Sequence, residues 1–266
     1  MIKKRSLFLY FLFTYLIAWL FWTIPIFLSV GVYKSESLRS LFGLGVLAPI
    51  VVATIMSTKI FGGDGIKSLI DRFRIKGVLI RWYLVAAFIF VGISIAVLSI
   101  YFLLEETPPE AIFQTYSLSN YFSMLPVFIV FATLEEVGWR GFALPELRKT
   151  LSPLPASILL GLIWAVWHVP KLISEGTTDV SSFIVMAVFG VLLSLFLTWI
   201  YENSNGSVTL AILAHAAVNS SIFAIDAEVL TKIGYNKPSI IYLILLFALI
   251  ALIVSYSGTA LKRQRR

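Results

Sequence analysis

The fold is decided by the stretch WYLVAAFIFVGISIAVLSIYFLL, residues 82–104, in which no residue is charged. A helix of this length rises about 34 Å at 1.5 Å per residue. That is enough to cross the roughly 30 Å hydrocarbon core of a bilayer. Comparable apolar stretches recur along the chain. We predict eight transmembrane spans, at about 7–31, 42–58, 82–104, 119–144, 155–172, 181–201, 207–225 and 238–258.

The composition agrees with this reading. Of the 266 residues, 59% are hydrophobic and 13% are charged, whereas soluble domains carry about 25% charged residues. We therefore predict an all-α, polytopic membrane protein that forms one transmembrane domain over residues 1–266. The chain contains no cysteine, which excludes disulfides and Cys-ligated zinc.

Basic residues flank the spans, as orientation signals do. In an eight-span topology with the N-terminus inside, sixteen of the 21 Lys and Arg residues face the cytosol. We predict a multi-pass protein of the cell membrane with both termini in the cytosol. The net charge of +7 is then explained by topology and by membrane lipids as partners, and no nucleic-acid partner is expected.

A basic segment near 64–80 separates the second and third predicted spans. Ile66, Leu69, Ile70 and Phe73 share one helical face, and basic residues surround them. This pattern predicts one amphipathic helix lying flat in the lipid headgroup layer.

Two predicted spans carry stripes of small residues at four-residue spacing. These are Ser157, Gly161 and Ala165 in the fifth span, and Gly190, Ser194 and Thr198 in the sixth. Small residues let helix backbones approach closely in lipid, so we expect these two helices to be central.

Ionisable residues inside spans are costly and mark candidate functional sites. They concentrate in three spans, which contain the segments FATLEEVGWRGFALPEL, GLIWAVWHVP and TLAILAHAAVNSS. The candidate residues in these segments are Glu135, Glu136 and Arg140; Trp164 and His168; and His215 and Asn219.

Helical spacing separates the roles of the two glutamates. Glu136 and Arg140 are four residues apart and can form a pair. Glu135 is rotated by about 100° from Glu136, so it can point elsewhere. Trp164 and His168, like His215 and Asn219, are also one turn apart. The spacing predicts that three helices present Glu135, His168 and the His215–Asn219 pair to one point.

These three motifs, in this order, resemble the CPBP family, which comprises CAAX prenyl proteases and bacteriocin-processing (Abi) intramembrane proteases. The motifs are Glu-Glu-x-x-x-Arg, aromatic-x-x-x-His and His-x-x-x-Asn. The second usually begins with Phe, and here it begins with Trp164. The resemblance covers roughly 118–225, which we take as the catalytic core.

The resemblance implies an intramembrane endopeptidase that acts on membrane-associated, prenylated or leader-bearing peptides. Glu135 would be the general base and would share its water with His168. His215 and Asn219 would stabilise the oxyanion. Arg140, through Glu136, would hold the helix orientation.

A second mechanism uses the same side chains as metal ligands. Glu135, His168 and His215 form a His₂Glu set of the type found in zinc hydrolases, so zinc or another divalent metal is a possible cofactor. The HExxH helix that would favour zinc strongly is missing from the sequence, and we favour metal-free chemistry.

Two other function classes stay open at this stage. One is a catalytically inactive membrane scaffold or regulator built on the same fold, which would need none of the three motifs. The other is a transporter, for which we find no pairing of repeats between the halves of the chain. The sequence selects neither the substrate nor the oligomeric state.

Overall fold

The computed structural model describes residues 4–28, 43–105, 115–177, 179–226 and 236–262. Within these ranges it contains helices and no β-strand. The longer helices are α1 (Lys4–Phe27), α2 (Ala48–Phe61), α3 (Gly63–Ile70), α4 (Ile80–Leu104), α5 (Leu118–Gly138), α6 (Leu144–Leu147), α7 (Pro153–Trp167), α8 (Val169–Ser174), α9 (Val180–Asn203), α10 (Val208–Phe223) and α11 (Asn236–Ser257). A π-helical turn, Trp139–Ala143, joins α5 to α6, and a 3₁₀ turn, Gly258–Ala260, follows α11.

The predicted all-α, polytopic membrane fold is confirmed. In the described part of the chain, seven helical segments are long and apolar enough to cross a membrane. They are Ser6–Ile24, Gly43–Ile60, Ile80–Leu104, Leu118–Leu147, Pro153–Ser174, Val180–Asn203 and Pro238–Ala260. Residues 29–31 of the predicted first span and residue 42 of the second lie outside the described residues.

The seventh predicted span, 207–225, is the exception among the eight. It corresponds to α10, which has 16 residues and is therefore about 24 Å long. Most of its side chains are buried against protein. Short apolar helices of this kind tend to be core helices, and periodicity alone does not separate them from spanning helices.

The prediction of a long amphipathic helix over 64–80 is wrong in extent. The helix α3 ends at Ile70, and the chain from Phe73 to Ile75 is irregular. The Arg74 side chain donates to the Asp71 carbonyl at 3.0 Å, and Gly77 has a φ of +75°. The helix therefore ends before the apolar pattern does, and the chain that follows is not helical up to Ile80.

The described chain divides into two compact units. Unit 1 comprises residues 1–74 and 133–198, and unit 2 comprises 75–132 and 199–266. The predicted core, 118–225, draws on both units, and its treatment as one catalytic domain stays a prediction.

In unit 1, α7 and α9 approach closely where the small-residue stripes lie. A Cβ added to Gly161 would meet the Gly190 carbonyl oxygen and the Val191 Cα, both at 2.7 Å. A Cβ on Gly190 would lie 3.1 Å from the Gly161 carbonyl oxygen. The two helices therefore pack closely at their small-residue stripes, and their predicted central position stays a prediction.

In unit 2, α10 packs along α4 and buried hydroxyl groups join the two helices. The Ser221 hydroxyl donates to the Phe90 carbonyl at 2.8 Å. It also contacts the hydroxyls of Ser94 at 2.8 Å and Tyr116 at 2.9 Å. This network gives α10 a fixed register against α4.

Candidate active site

Glu135 lies near the end of α5, and its carboxylate is held by a residue from another helix. The Trp164 indole Nε1–H on α7 donates to Glu135 Oε2 at 2.7 Å. The two residues are 8% and 7% exposed. This hydrogen bond therefore orients the Glu135 carboxyl group relative to the indole.

His168 lies at the residue between α7 and α8. Its Nδ1 is 2.9 Å from the Trp164 carbonyl oxygen. Because a carbonyl only accepts, Nδ1 must carry the proton, and in the neutral ring Nε2 is then the basic nitrogen. The imidazole also packs edge-on against the Trp164 indole, with centroids 4.2 Å apart. His168 is 7% exposed.

The chain breaks its helix at His168 because of Pro170. Proline has no backbone N–H, so the Val166 carbonyl loses the partner it would have in a continuous helix. The His168 N–H is shared between the carbonyls of Trp164 and Ala165, at 3.3 and 3.1 Å. The predicted fifth span is thus two helices, and the imidazole projects from the junction.

Helix α1 supplies residues that the sequence analysis missed. The Trp19 indole donates to the Trp167 carbonyl at 3.0 Å, and the Tyr15 hydroxyl donates to the Ile163 carbonyl. The Trp22 ring stacks on His168, with centroids 6.0 Å apart and an interplanar angle of 29°. The spacing 15, 19, 22 marks one face of a helix and is the signal that could have revealed them.

Glu136 and Arg140 form the pair that their spacing predicts. Arg140 Nη1 donates to Glu136 Oε1 at 3.0 Å. Glu136 is 0% and Arg140 2% exposed, so the ion pair is fully buried. Arg140 lies in the π-helical turn, a feature frequent at functional sites.

The segment that carries the glutamates packs tightly against other helices of unit 1. A Cβ on Gly138 would lie 2.5 Å from the Tyr10 hydroxyl and 2.6 Å from the Pro49 carbonyl oxygen. The Tyr10 ring also lies edge-on to Trp139, with centroids 5.9 Å apart. Glycine at 138 therefore lets α5 approach α1 and α2 closely, next to Glu135 and Glu136.

His215 and Asn219 lie one turn apart on α10, in unit 2. His215 is buried, at 3% exposure, and Asn219 is partly buried. Their helix is fixed to α4 two residues further on, through Ser221. The structure therefore brings Glu135, Trp164 and His168 together in unit 1, and it places the His215–Asn219 pair in unit 2.

The three candidate metal ligands also belong to different units. Glu135 and His168 belong to unit 1 and His215 to unit 2. Among the described residues, no group of three His, Cys, Asp or Glu side chains that could hold a metal ion is found. Neither unit alone contains all three candidate ligands.

Comparisons with known proteins agree with the motifs. Residues 117–221 match the family model described as "Type II CAAX prenyl endopeptidase Rce1-like". The chain is also similar to a protein named "CAAX prenyl protease 2" from Methanococcus maripaludis. The two are 27% identical over 226 residues, which cover 79% of this chain and 82% of the relative. Helix α1 lies outside the segment that the family model matches.

Proposed function

We propose that this chain, which belongs to the CPBP family of membrane endopeptidases, hydrolyses peptide bonds with Glu135 as the general base and His168 as its partner on the attacking water. The observation that carries the proposal is the joint contact of Glu135 and His168 with Trp164. A buried carboxylate and a buried imidazole are held against one indole in a membrane-spanning protein. Packing alone gives no reason for such an arrangement.

The chemistry follows from these groups. Glu135 takes a proton from water, and the hydroxide forms a bond to the carbonyl carbon of the peptide. The carbonyl oxygen gains negative charge, which His215 and Asn219 stabilise by donating hydrogen bonds. The C–N bond then breaks, and the proton held by Glu135 passes to the leaving amine. The products are one new carboxyl terminus and one new amino terminus.

The substrate class that we propose is a prenylated peptide cleaved near its C-terminus. The names of the matched family and of the archaeal relative both support this class. A lipid-anchored peptide would reach the enzyme by diffusion in the membrane plane. Leader-bearing peptides and membrane-protein segments are the alternatives, and oligomeric state has no part in the proposal.

The test is cleavage of a fluorescence-quenched, farnesylated CAAX peptide by purified protein in phosphatidylcholine liposomes. Wild type should cleave it, and Glu135→Gln should be slower by about 10²–10⁴ in single turnover, the usual contribution of a general base. Gln keeps an oxygen that accepts the Trp164 N–H, so the variant should stay folded. Equal rates would exclude Glu135 as the base.

The same assay separates the proposal from a catalytically inactive scaffold. A scaffold would leave the prenylated peptide and a pool of cell-derived peptides intact at any enzyme concentration. If wild type cleaves only an unprenylated, leader-bearing peptide, the endopeptidase reading stands and the substrate class is wrong.

We propose metal-free chemistry, supported by the lack of an HExxH motif in the sequence. Elemental analysis of purified protein should find zinc well below one equivalent. Stoichiometric zinc that is lost together with activity in His168→Ala would overturn this part of the proposal.

We also propose that both termini face the cytosol at the cell membrane. The support is the distribution of basic residues, with Lys3, Lys4 and Arg5 at one end and Lys262, Arg263, Arg265 and Arg266 at the other. Because α10 is shorter than a typical span, the C-terminal side depends on whether α10 crosses. A C-terminal reporter fusion that reports from outside the cytosol would contradict eight crossings.

A further inference from the structure

Trp164 makes two polar contacts that connect the proposed base to the histidine. Its side chain donates to Glu135 Oε2 at 2.7 Å, and its backbone carbonyl accepts from His168 Nδ1 at 2.9 Å. Its indole ring also packs edge-on against the imidazole, at 4.2 Å between centroids and 62° between planes. One residue therefore contacts both groups.

The hydrogen bond to Glu135 requires the indole. A phenylalanine at position 164, the usual residue of this motif, would preserve the ring contact with His168 and the backbone carbonyl. It would lack the N–H that contacts the carboxylate. Trp164 thus supplies a donor to Glu135 that a phenylalanine could not supply.

We propose that Trp164 is a positioning residue whose indole N–H fixes the Glu135 carboxylate in the orientation needed to take a proton from the attacking water. The inference rests on the proposed function. Without this hydrogen bond, the Glu135 side chain would lose conformational freedom before each reaction, because glutamate has several accessible rotamers. Small misplacements of reacting groups can cost about 10²-fold in rate. The hydrogen bond from Trp164 fixes the orientation of the Glu135 carboxylate before the substrate binds.

The decisive variant replaces Trp164 with 3-benzothienylalanine by amber suppression. This residue keeps the two-ring shape and has sulfur in place of the N–H. We expect kcat for the farnesylated CAAX peptide to fall by roughly 10–100-fold with KM within about twofold, because the substrate's own contacts are intact. Thermal stability should fall modestly, because the buried carboxylate loses a donor. A purely packing role for Trp164 predicts no change in kcat, so the kcat effect is the discriminating readout.

Two further variants serve as comparison and control. Trp164→Phe should show the same loss in kcat, with an additional loss of stability from the smaller ring. The control is 3-benzothienylalanine at Trp82, a buried tryptophan on α4 that packs edge-on against Trp199 at 4.9 Å. It should leave both kcat and KM unchanged. A wild-type kcat in the benzothienyl variant at 164 would overturn the proposal.

A second measurement needs no cleavage and so keeps this inference separate from the proposed function. The chain has seven tryptophans, and ¹⁵N labelling of their indoles gives separate N–H resonances, with that of Trp164 identified by its loss in Trp164→Phe. Glu135→Ala should move the Trp164 resonance and leave that of Trp82 in place. An unmoved Trp164 resonance overturns the inference even if the enzyme cleaves. A moved one supports the Trp164–Glu135 contact even if the probe is not cleaved, a result that would count against the proposed function.

Discussion

The two units hold their candidate residues in different ways. In unit 1, ionisable groups are buried and each has a specific contact: Glu136 with Arg140, Glu135 with Trp164, and His168 with the Trp164 carbonyl. In unit 2, the polar side chains that fix α10 are neutral hydroxyls, centred on Ser221. Buried charges need partners far more than neutral groups do.

This difference agrees with the proposed roles of the two groups of residues, which are proton transfer in unit 1 and oxyanion stabilisation in unit 2. Proton transfer needs ionisable groups in fixed orientations, and these are the groups of unit 1. Stabilising an oxyanion needs hydrogen-bond donors on a rigid support, and α10 in unit 2 provides such a support. The comparison predicts that substitutions that break the Glu136–Arg140 ion pair of unit 1 affect folding and activity, whereas those of the α10 pair affect activity alone.

The largest expected effect concerns the α10 pair. Asn219→Ala should lower kcat by about 10²–10³, the usual cost of removing one oxyanion donor, with thermal stability close to that of wild type. The measurement is the farnesylated-peptide assay with a parallel thermal-shift experiment. The matched control is Ser220→Ala on the same helix, because the buried Ser220 hydroxyl has no hydrogen-bond partner among the described residues. Equal activity in the two variants would remove Asn219 from the site.

The second effect concerns the buried ion pair of unit 1. Glu136→Gln or Arg140→Ala should destabilise the protein by about 3–5 kcal/mol, because each leaves a buried charge without its counterpart. Folded yield and activity should fall together. The double variant Glu136→Leu/Arg140→Met should be more stable than either single variant, since it leaves no charge behind. Single variants with full yield and activity would show that the pair is dispensable.

The third effect tests the helix contact that supports His168. Gly161→Ala should cost about 1–3 kcal/mol, because its Cβ would lie 2.7 Å from backbone atoms of α9. The control is Gly92→Ala on α4, where a Cβ has nothing within 4 Å. That change should be neutral or slightly stabilising, as alanine favours helix over glycine. Thermal unfolding in detergent compares the two, and equal midpoints would contradict the close packing.

The smallest effect concerns the hydroxyl network of unit 2. Ser221→Ala should cost about 1–3 kcal/mol, since it leaves buried partners without a hydrogen bond. Ser94→Ala should cost less, about 1 kcal/mol, because Ser221 keeps its bonds to Tyr116 and the Phe90 carbonyl. A larger loss from Ser94→Ala than from Ser221→Ala would show that Ser221 is not the centre of the network.

Local features of the sequence determined the main outline of this protein. Long uncharged stretches predicted an all-α membrane fold, because the backbone must satisfy its own hydrogen bonds in lipid. Four-residue spacing predicted the Glu136–Arg140 pair, since a contact between residues one turn apart follows from helix periodicity alone. The stripes of small residues indicated two helices suited to close packing, and the structure decided which helices meet at Gly161. The ordered motifs predicted the family. The catalytic roles of Glu135, His168, His215 and Asn219 stay predictions.

The tertiary structure alone decided how the proposed base is held. The sequence offered no sign that Glu135 contacts an indole 29 residues further along. The spacing of Tyr15, Trp19 and Trp22 marked one face of α1, but it did not indicate that this face contacts the helix end that carries His168. The sequence also did not indicate that α3 ends at Ile70 or that α10 has only 16 residues. The helical spacing of residues in the sequence indicates which face of its own helix a residue occupies. The contact between two distant side chains depends on how their helices pack and on the rotamers that packing allows, and neither is encoded in local spacing.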